Sequence, residues 1–454
     1  MDQTLHDPAP GTRPPGSLTM LGGTALYVGA VLGSGVIALP ALAAEAAGPA
    51  SLLAWAGLAL LSVPLAATFA ALGARYPDAG GVSTYVRRAF AGPEAAAVVG
   101  WCFYFTVPVG APAAAMFGGA YVASAIGGGP ATVLATAAGL MLVVTLVNLF
   151  GIRVSGRLQL VLTALLVVLL LTAMAVSAPH ARAAHLHPFA PHGWMGVFHA
   201  GALLVWSFAG WEAITHLAGE FRNPARDLPR ATYLAVAIIS LLYVGVAAAS
   251  VLVLGPAAAG ARAPLAELLA LGIGGNVQVL AAVAALLLTL GAMNAYFAGA
   301  AKLGAALGRD GALPPWFARG AVAGEVPRRS LAVVAGLAGL SLALAAWSRS
   351  GPAPLVLFTT GAFVAIYALG AAAALRLLDG RRERRLALAA LAAVAGLLLM
   401  TGRYMLWPLL LAGAALLYLR LARRTVGRPA SPLWRVCSLY CEPHEKPATS
   451  RRDL

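Results

Sequence analysis

The sequence predicts an all-α integral membrane protein of about twelve transmembrane helices, and three observations carry that expectation. Of 454 residues, 60% are hydrophobic and 10% charged, with a mean hydropathy of +0.83, whereas soluble domains carry about 25% charged residues. Apolar stretches recur at lengths near the roughly 20 residues that a helix needs to cross a bilayer. An even number of them also sorts the basic residues. With the N-terminus inside, every lysine and arginine except Arg182, Arg262, Arg349 and Arg403 falls on one face, the asymmetry of the positive-inside rule. The net charge of +15 is therefore a topology signal, not the footprint of a nucleic-acid partner.

In chain order, residues 1–17 hold Asp2, Asp7 and several prolines with no basic flank before a short apolar core. They read as a disordered cytosolic tail rather than a signal peptide. Residues 18–421 form one transmembrane domain, with spans near 18–45, 49–74, 94–125, 130–150, 156–178, 194–219, 229–255, 274–307, 330–347, 353–378, 386–402 and 403–421. Residues 422–454 are a basic cytosolic tail. Both termini are expected in the cytosol and the protein in the cytoplasmic membrane, with the bilayer as its surroundings. No sequence feature specifies an oligomeric state.

The first span is interrupted halfway by Val31-Leu32-Gly33-Ser34-Gly35-Val36. Each glycine costs a helix interior about 1 kcal/mol relative to alanine, and in lipid the freed peptide groups need partners. One explanation is a packing seam of small residues. The other is an unwound midpoint lining a polar cavity. There the N–H groups that start the second half-helix hold a carboxylate, and the carbonyls that end the first half hold an ammonium. An amino acid carries both charges.

If spans one to five recur inverted as six to ten (18–178 and 194–378, with 386–421 accessory), span six should break at the matching depth. It reads Trp206-Ser207-Phe208-Ala209-Gly210-Trp211-Glu212-Ala213-Ile214-Thr215-His216, and Ser207 to Gly210 is the expected unwinding point. Two matched breaks favour the cavity over the seam. Glu212 lies just past the second break, with His216 one helical turn on. An intramembrane carboxylate costs about 2.5–3.5 kcal/mol on insertion scales and so faces a cavity or a partner. Two roles stay open: a structural Glu212–His216 pair capping broken backbone, or a gate and proton carrier.

Other features are less pointed. Cys437, Cys441 and His444 lack a fourth metal ligand, so no metal site is expected. The outer loop with His180, His185, His187 and His192 has no fixed ligand spacing and reads as solvated. No phosphate-cradling loop, zinc-binding His-Glu-x-x-His or Gly-x-Ser-x-Gly elbow occurs, which argues against an enzyme or an ATP-driven pump. No prosthetic group is implied; a proton or sodium gradient would supply the driving force. Around both breaks the residues are Ala, Gly, Val, Phe and Trp, with Glu212 the lone fixed charge. Such a lining suits a neutral substrate, since a cationic side chain would want paired carboxylates.

At Gly33-Ser34-Gly35, and again at Tyr76-Pro77-Asp78-Ala79-Gly80-Gly81-Val82, the chain resembles the amino acid–polyamine–organocation superfamily of transporters. The run from Gly210 to Ala231, together with Gly100-Trp101 and Val109-Gly110-Ala111-Pro112-Ala113-Ala114, is similar to the branch containing bacterial exporters of methionine and branched-chain amino acids. The resemblance implies a LeuT-type fold of two inverted five-helix repeats plus two helices, with the first and sixth broken. It also implies alternating-access transport of neutral apolar amino acids such as Met, Leu, Ile and Val, as an exporter or proton antiporter. Import or exchange of other amines, or sensing through the C-terminal tail, are the alternatives. By motif, Val31, Gly33, Ser34 and Gly35 would hold the substrate's charged ends. Trp206, Ala209 and Gly210 would contact it, Phe208 would pack over it as a gate, and Glu212 and His216 would couple gating to protons. Met293, Asn294 and Thr359 are further substrate candidates. One departure stands out: span five lacks the lysine that some relatives use in place of sodium.

Overall fold

The computed structural model describes residues 18–33, 35–77, 81–151, 156–212, 218, 221–274, 277–321 and 325–425. Among them there is no sheet, only an isolated parallel bridge between Leu18 and Phe221. The rest is helix and short connections.

The first span is two helices, α1 (Met20–Val31) and α2 (Gly35–Ala47). Helix α3 (Ser51–Arg75) is the second span, followed by a short helix α4 (Gly81–Phe90) and the long α5 (Pro93–Ile126). Helices α6 (Pro130–Leu149) and α7 (Gly156–Ser177) complete the first half. The second half opens with α8 (Gly193–Leu204) and α9 (Pro224–Ala249), then a short α10 (Pro264–Ile273) and α11 (Val277–Arg309). Helices α12 (Arg328–Ser348), α13 (Ala353–Leu377), α14 (Arg381–Thr401) and α15 (Leu406–Thr425) finish the chain. Each expected span therefore coincides with helix, except that span six is helical only to Leu204 within its described part. Leu60, Leu241, Trp347 and Leu399 point outward with 72%, 74%, 84% and 85% of their surface exposed. In water that would be an aggregation hazard, but it is how a lipid-facing wall is built.

Packing carries the repeat. Spans one and six touch through α2 and α8, two and seven through α3 and α9, three and eight through α5 and α11, four and nine through α6 and α12. These four contacts between a span and the one five places on fit two halves related by a pseudo-two-fold axis in the membrane plane. Small residues permit the approach. A Cβ on Gly119 of α5 would lie 2.5 Å from the Val133 carbonyl of α6, and one on Gly304 of α11 would lie 2.3 Å from the Tyr104 ring of α5. Close backbone approach is the usual source of helix association where lipid removes the hydrophobic driving force. Two core clusters result. One is centred on both broken spans with α3, α9 and α13, the other on α5, α6, α11 and α12.

Two helices were not expected from the sequence. Helix α4 is amphipathic and packs Val82, Tyr85 and Val86 inward, while Arg87 and Arg88 face out. Helix α10 is apolar but only 10 residues long, too short to span. It rests on α7, α11 and α2.

Candidate functional site

Both breaks have a local cause. Helix α1 runs out at Leu32, whose φ of −72° and ψ of 74° leave the helical region, and Gly33 turns back to donate to the Val31 carbonyl at 2.8 Å. Helix α2 restarts at Gly35, so its opening N–H groups have no partner within the helix. In span six, the backbone tightens after Leu204 into i→i+3 turns, with Ser207 N donating to Leu204 O at 3.0 Å and Phe208 N to Val205 O at 3.1 Å. Gly210 then sits at φ +119°, a conformation open to glycine and costly to other residues.

The two breaks meet. A Cβ on Gly35 would fall 2.6 Å from Ser207 Oγ and 2.9 Å from Trp206 Cδ1, and one on Gly210 would fall 3.2 Å from Val31 Cγ2. Between them and α5, α7, α11 and α13 lies a cavity of about 400 Å³. That is within the usual range for small-molecule sites, roughly 300–1,000 Å³. Val31, Gly33, Gly35, Trp206, Ala209, Gly210, Glu212, Met293 and Thr359 all line it, as does Ser207. Glu212 is the sole Asp, Glu, Lys or Arg among the described residues of its wall.

Ser207 is the sharpest polar group of the wall. It is 1% exposed, and its hydroxyl, close to that of Tyr243, makes no well-formed hydrogen bond. A buried hydroxyl left unpaired costs about 1–3 kcal/mol, which a bound polar ligand relieves. Trp206 crosses toward α5 because position 110 is glycine. A Cβ there would sit 3.1 Å from both Trp206 Cη2 and Thr359 Oγ1. Phe117 meets the indole edge-on at 6.3 Å.

Glu212 is 4% exposed. Its Oε2 accepts from Tyr367 Oη of α13 at 2.6 Å and from Gly210 N at 3.1 Å; the same N–H also lies 3.0 Å from Tyr367 Oη. The carboxylate thus caps the backbone that the second break leaves open. Helix α5 is tied to α2 and α10. Tyr121 of α5 donates to Ile37 O at 2.7 Å and accepts from Leu265 N of α10 at 3.3 Å.

Some expected site residues lie elsewhere. Phe208 turns away from the cavity into an aromatic stack with Trp55 at 6.1 Å and Tyr243 at 5.0 Å, because each step of an i→i+3 turn rotates the side chain by about 120°. Asn294 faces α6, where Asn148 Nδ2 donates to its Oδ1 at 2.8 Å, so it ties two helices and does not reach the cavity. Ser34, His216 and the tail group Cys437, Cys441 and His444 lie outside the described residues. Of the outer-loop histidines, His185 is engaged by the backbone, its Nδ1 2.8 Å from Leu252 O.

Sequence reasoning missed Ser207 as a side chain, along with Tyr243, Tyr367 and Phe363. Tyr243 of α9 joins the breaks directly, its Oη 2.7 Å from Val31 O and 2.8 Å from Ser207 O. The signal was faint, since Tyr243 shares its span with Thr232, Tyr233 and Ser240, and Tyr367 shares its span with Thr359 and Thr360.

Comparison with known proteins agrees with this architecture. The amino acid permease family matches the chain over residues 18–441. The uncharacterized amino acid permease YecA of Bacillus subtilis is 36% identical over 407 residues, 89% of this chain and 95% of the relative. The L-methionine/branched-chain amino acid exporter YjeH of Escherichia coli is 33% identical over 363 residues, 79% of this chain and 85% of the relative. The branched-chain amino acid permease BcaP of Bacillus subtilis is 28% identical over 239 residues, about half of each chain. With two discontinuous spans meeting at one cavity and a family match over nearly its full length, the chain belongs to the amino acid permeases, membrane transporters of the amino acid–polyamine–organocation superfamily.

Proposed function

We propose that this permease moves neutral apolar amino acids, Met, Leu, Ile and Val foremost, across the cytoplasmic membrane by alternating access, working as an exporter. The observation that carries the substrate class is the cavity wall, which is mostly Gly, Ala, Val, Leu, Met, Phe and Trp, with hydroxyls from Thr106, Thr163, Ser207, Tyr296 and Thr359, around a single carboxylate already engaged by Tyr367 and Gly210. A substrate side chain bearing charge would have to be desolvated there without a free counter-ion. The main-chain ends of the substrate fit the breaks. The free N–H groups that open α2 and the Ser207 hydroxyl suit a carboxylate, and the carbonyls ending α1 suit an ammonium. An apolar wall discriminates by only about 1–3 kcal/mol per methylene, so the four amino acids overlap as substrates. The name of the Escherichia coli relative, an exporter of methionine and branched-chain amino acids, supports the same class and direction.

On this reading the cavity opens at its exposed lining residues Ala30, Leu160 and Tyr296 toward the cytosol. This is the state in which an exporter loads. Glu212 is the residue through which a proton could be coupled to the cycle. The test is counterflow in proteoliposomes loaded with labelled leucine, combined with excretion from cells fed a leucine-containing dipeptide. Unlabelled Met, Leu, Ile and Val should accelerate label exit, and expression should raise external leucine. Acceleration by arginine or aspartate in their place, or no excretion, would refute the reading.

A further inference from the structure

Helices α3, α4, α13 and α14 meet at one corner of the protein, and arginines concentrate there. Arg376 near the end of α13 donates to the Ala89 carbonyl of α4 at 3.3 Å and lies over the Phe90 ring at 4.5 Å. Arg88 of α4 covers the Tyr76 ring at 5.1 Å. Helix α14 then opens on Arg381, Arg382, Arg384 and Arg385, all exposed, as is Arg87 of α4. The acids of this corner are already committed. Asp379 holds Arg75 at 2.9 Å, Glu94 at the start of α5 holds Arg423 of α15, and Glu383 folds back over Gly380 at the N-cap of α14. Among the described residues, neither Arg87, Arg88 nor any of the four arginines of α14 has a carboxylate within ion-pair distance. Four cations in a first helical turn also oppose the helix dipole, which favours anions at that end.

Depth identifies the partner. Leu388 lies four residues beyond Arg384 and three beyond Arg385, on the same face of α14, and it is exposed; Leu399 continues that outward stripe three turns on. At 1.5 Å per residue, the arginine-bearing turn sits about 5–6 Å below lipid-facing leucine, where a bilayer carries its phosphates. We propose that this corner is a binding surface for anionic phospholipid headgroups, its guanidiniums donating to phosphate oxygens in the fork geometry that suits them. The positive-inside rule asks only for basic charge on a face. It does not ask for one arginine seated on a carbonyl and a ring, a second on another ring, and a helix that begins with four more. An acidic protein would meet the same charge from solution. Arg384 and Arg385 share their face with Leu388, however, so a phosphate that carries acyl chains satisfies both the charge and the apolar surface beside it. The surface is separate from the amino-acid cavity and does not rest on its assignment.

The test is thermal melting of the full-length permease, without amino acid, in nanodiscs of dioleoylphosphatidylcholine alone or mixed with dioleoylphosphatidylglycerol. Phosphatidylglycerol should raise the wild-type midpoint, as a ligand of the native state does, and native mass spectrometry should find it retained over phosphatidylcholine. Arg381→Gln, Arg382→Gln, Arg384→Gln and Arg385→Gln together should abolish the rise, with lipid affinity falling about fivefold per arginine. The corresponding four Arg→Lys changes keep the charge that sets topology but lose the fork, and they should retain only part of the rise. Lys302→Gln, Arg309→Gln, Arg319→Gln and Arg328→Gln together remove as much charge at the ends of α11 and α12 and should leave the rise intact. Equal wild-type midpoints in the two lipids would overturn the proposal, whether or not any variant folds. So would an equal loss of the rise in this last variant, which marks diffuse attraction. The same rise from soluble glycerol 3-phosphate would also overturn it, because the site would then read phosphate without a membrane.

Discussion

A single methyl group at Gly35 separates a substrate site from a packing seam. Its Cβ would lie 2.6 Å from Ser207 Oγ, 2.9 Å from Trp206 Cδ1 and 3.2 Å from Leu39 Cδ1. The first two atoms belong to the other broken span, so the methyl pushes the breaks apart where the cavity narrows. Overpacking of this kind costs about 1–3 kcal/mol. Gly35 opens α2 without a left-handed φ, so alanine there brings no backbone strain and gains up to about 1 kcal/mol of helix propensity. Stability should therefore change little, because the two terms oppose each other. Binding does not share the compensation, because the methyl displaces Ser207 and Trp206 at the ligand's own position. Gly35→Ala should weaken leucine binding by about 1–3 kcal/mol, or roughly 5- to 150-fold, and Gly35→Val should abolish it. Titration calorimetry on purified protein, beside a thermal melt, reads both quantities. Gly139→Ala in α6 is the control, since a Cβ there meets nothing within 4 Å and the residue does not line the cavity, and it should bind normally. Wild-type affinity in Gly35→Ala would refute the site, and a collapsed melting point with proportionate loss of binding would mark a seam.

Three further substitutions probe the second break. Gly210→Ala forces a side chain onto φ +119° and against Val31 Cγ2 at 3.2 Å. It should cost about 1–3 kcal/mol of stability and most of the transport, whereas Gly57→Ala, open on all sides within α3, should be neutral or slightly stabilising. Tyr367→Phe removes the 2.6 Å hydrogen bond to Glu212 and should lower stability by about 1.5–3 kcal/mol, read as a lower thermal midpoint without a change in substrate preference. Glu212→Gln retains an oxygen that can accept from Tyr367 and Gly210 but cannot carry a proton. Flux should lose its pH dependence while leucine affinity holds within a few-fold, and an unchanged pH profile would reduce Glu212 to the cap that Gly210 needs.

The parts of the fold that the sequence made legible are those written in composition and short-range pattern. Long apolar runs mark the spans, and the interruptions at 33–35 and 207–210 mark the breaks. What escaped depends on contacts between distant residues. Tyr367 reaches Gly210 across 157 positions and Tyr243 reaches Val31 across 212, and within its own span each reads as one more core aromatic. Helix α4 was missed because its apolar residues occupy one face of a short stretch with no continuous run, and α10 because a 10-residue apolar segment between two spans resembles the end of either. Phe208 and Asn294 were drawn toward the cavity by motif and by polarity respectively. The 3-10 turn rotates the first away, and a second asparagine on α6 claims the other.

The central physical claim is that two spans lose their helical hydrogen bonds side by side and offer bare peptide groups to both ends of a zwitterion. Calorimetric titration of the purified permease with leucine, leucinamide and 4-methylpentanoate tests it directly. These share one side chain and differ only in which charged end remains. Leucine should bind, and each analogue should lose at least about 1.5–3 kcal/mol, the worth of a hydrogen bond to a charged group. Binding of either analogue with the affinity of leucine would contradict the claim.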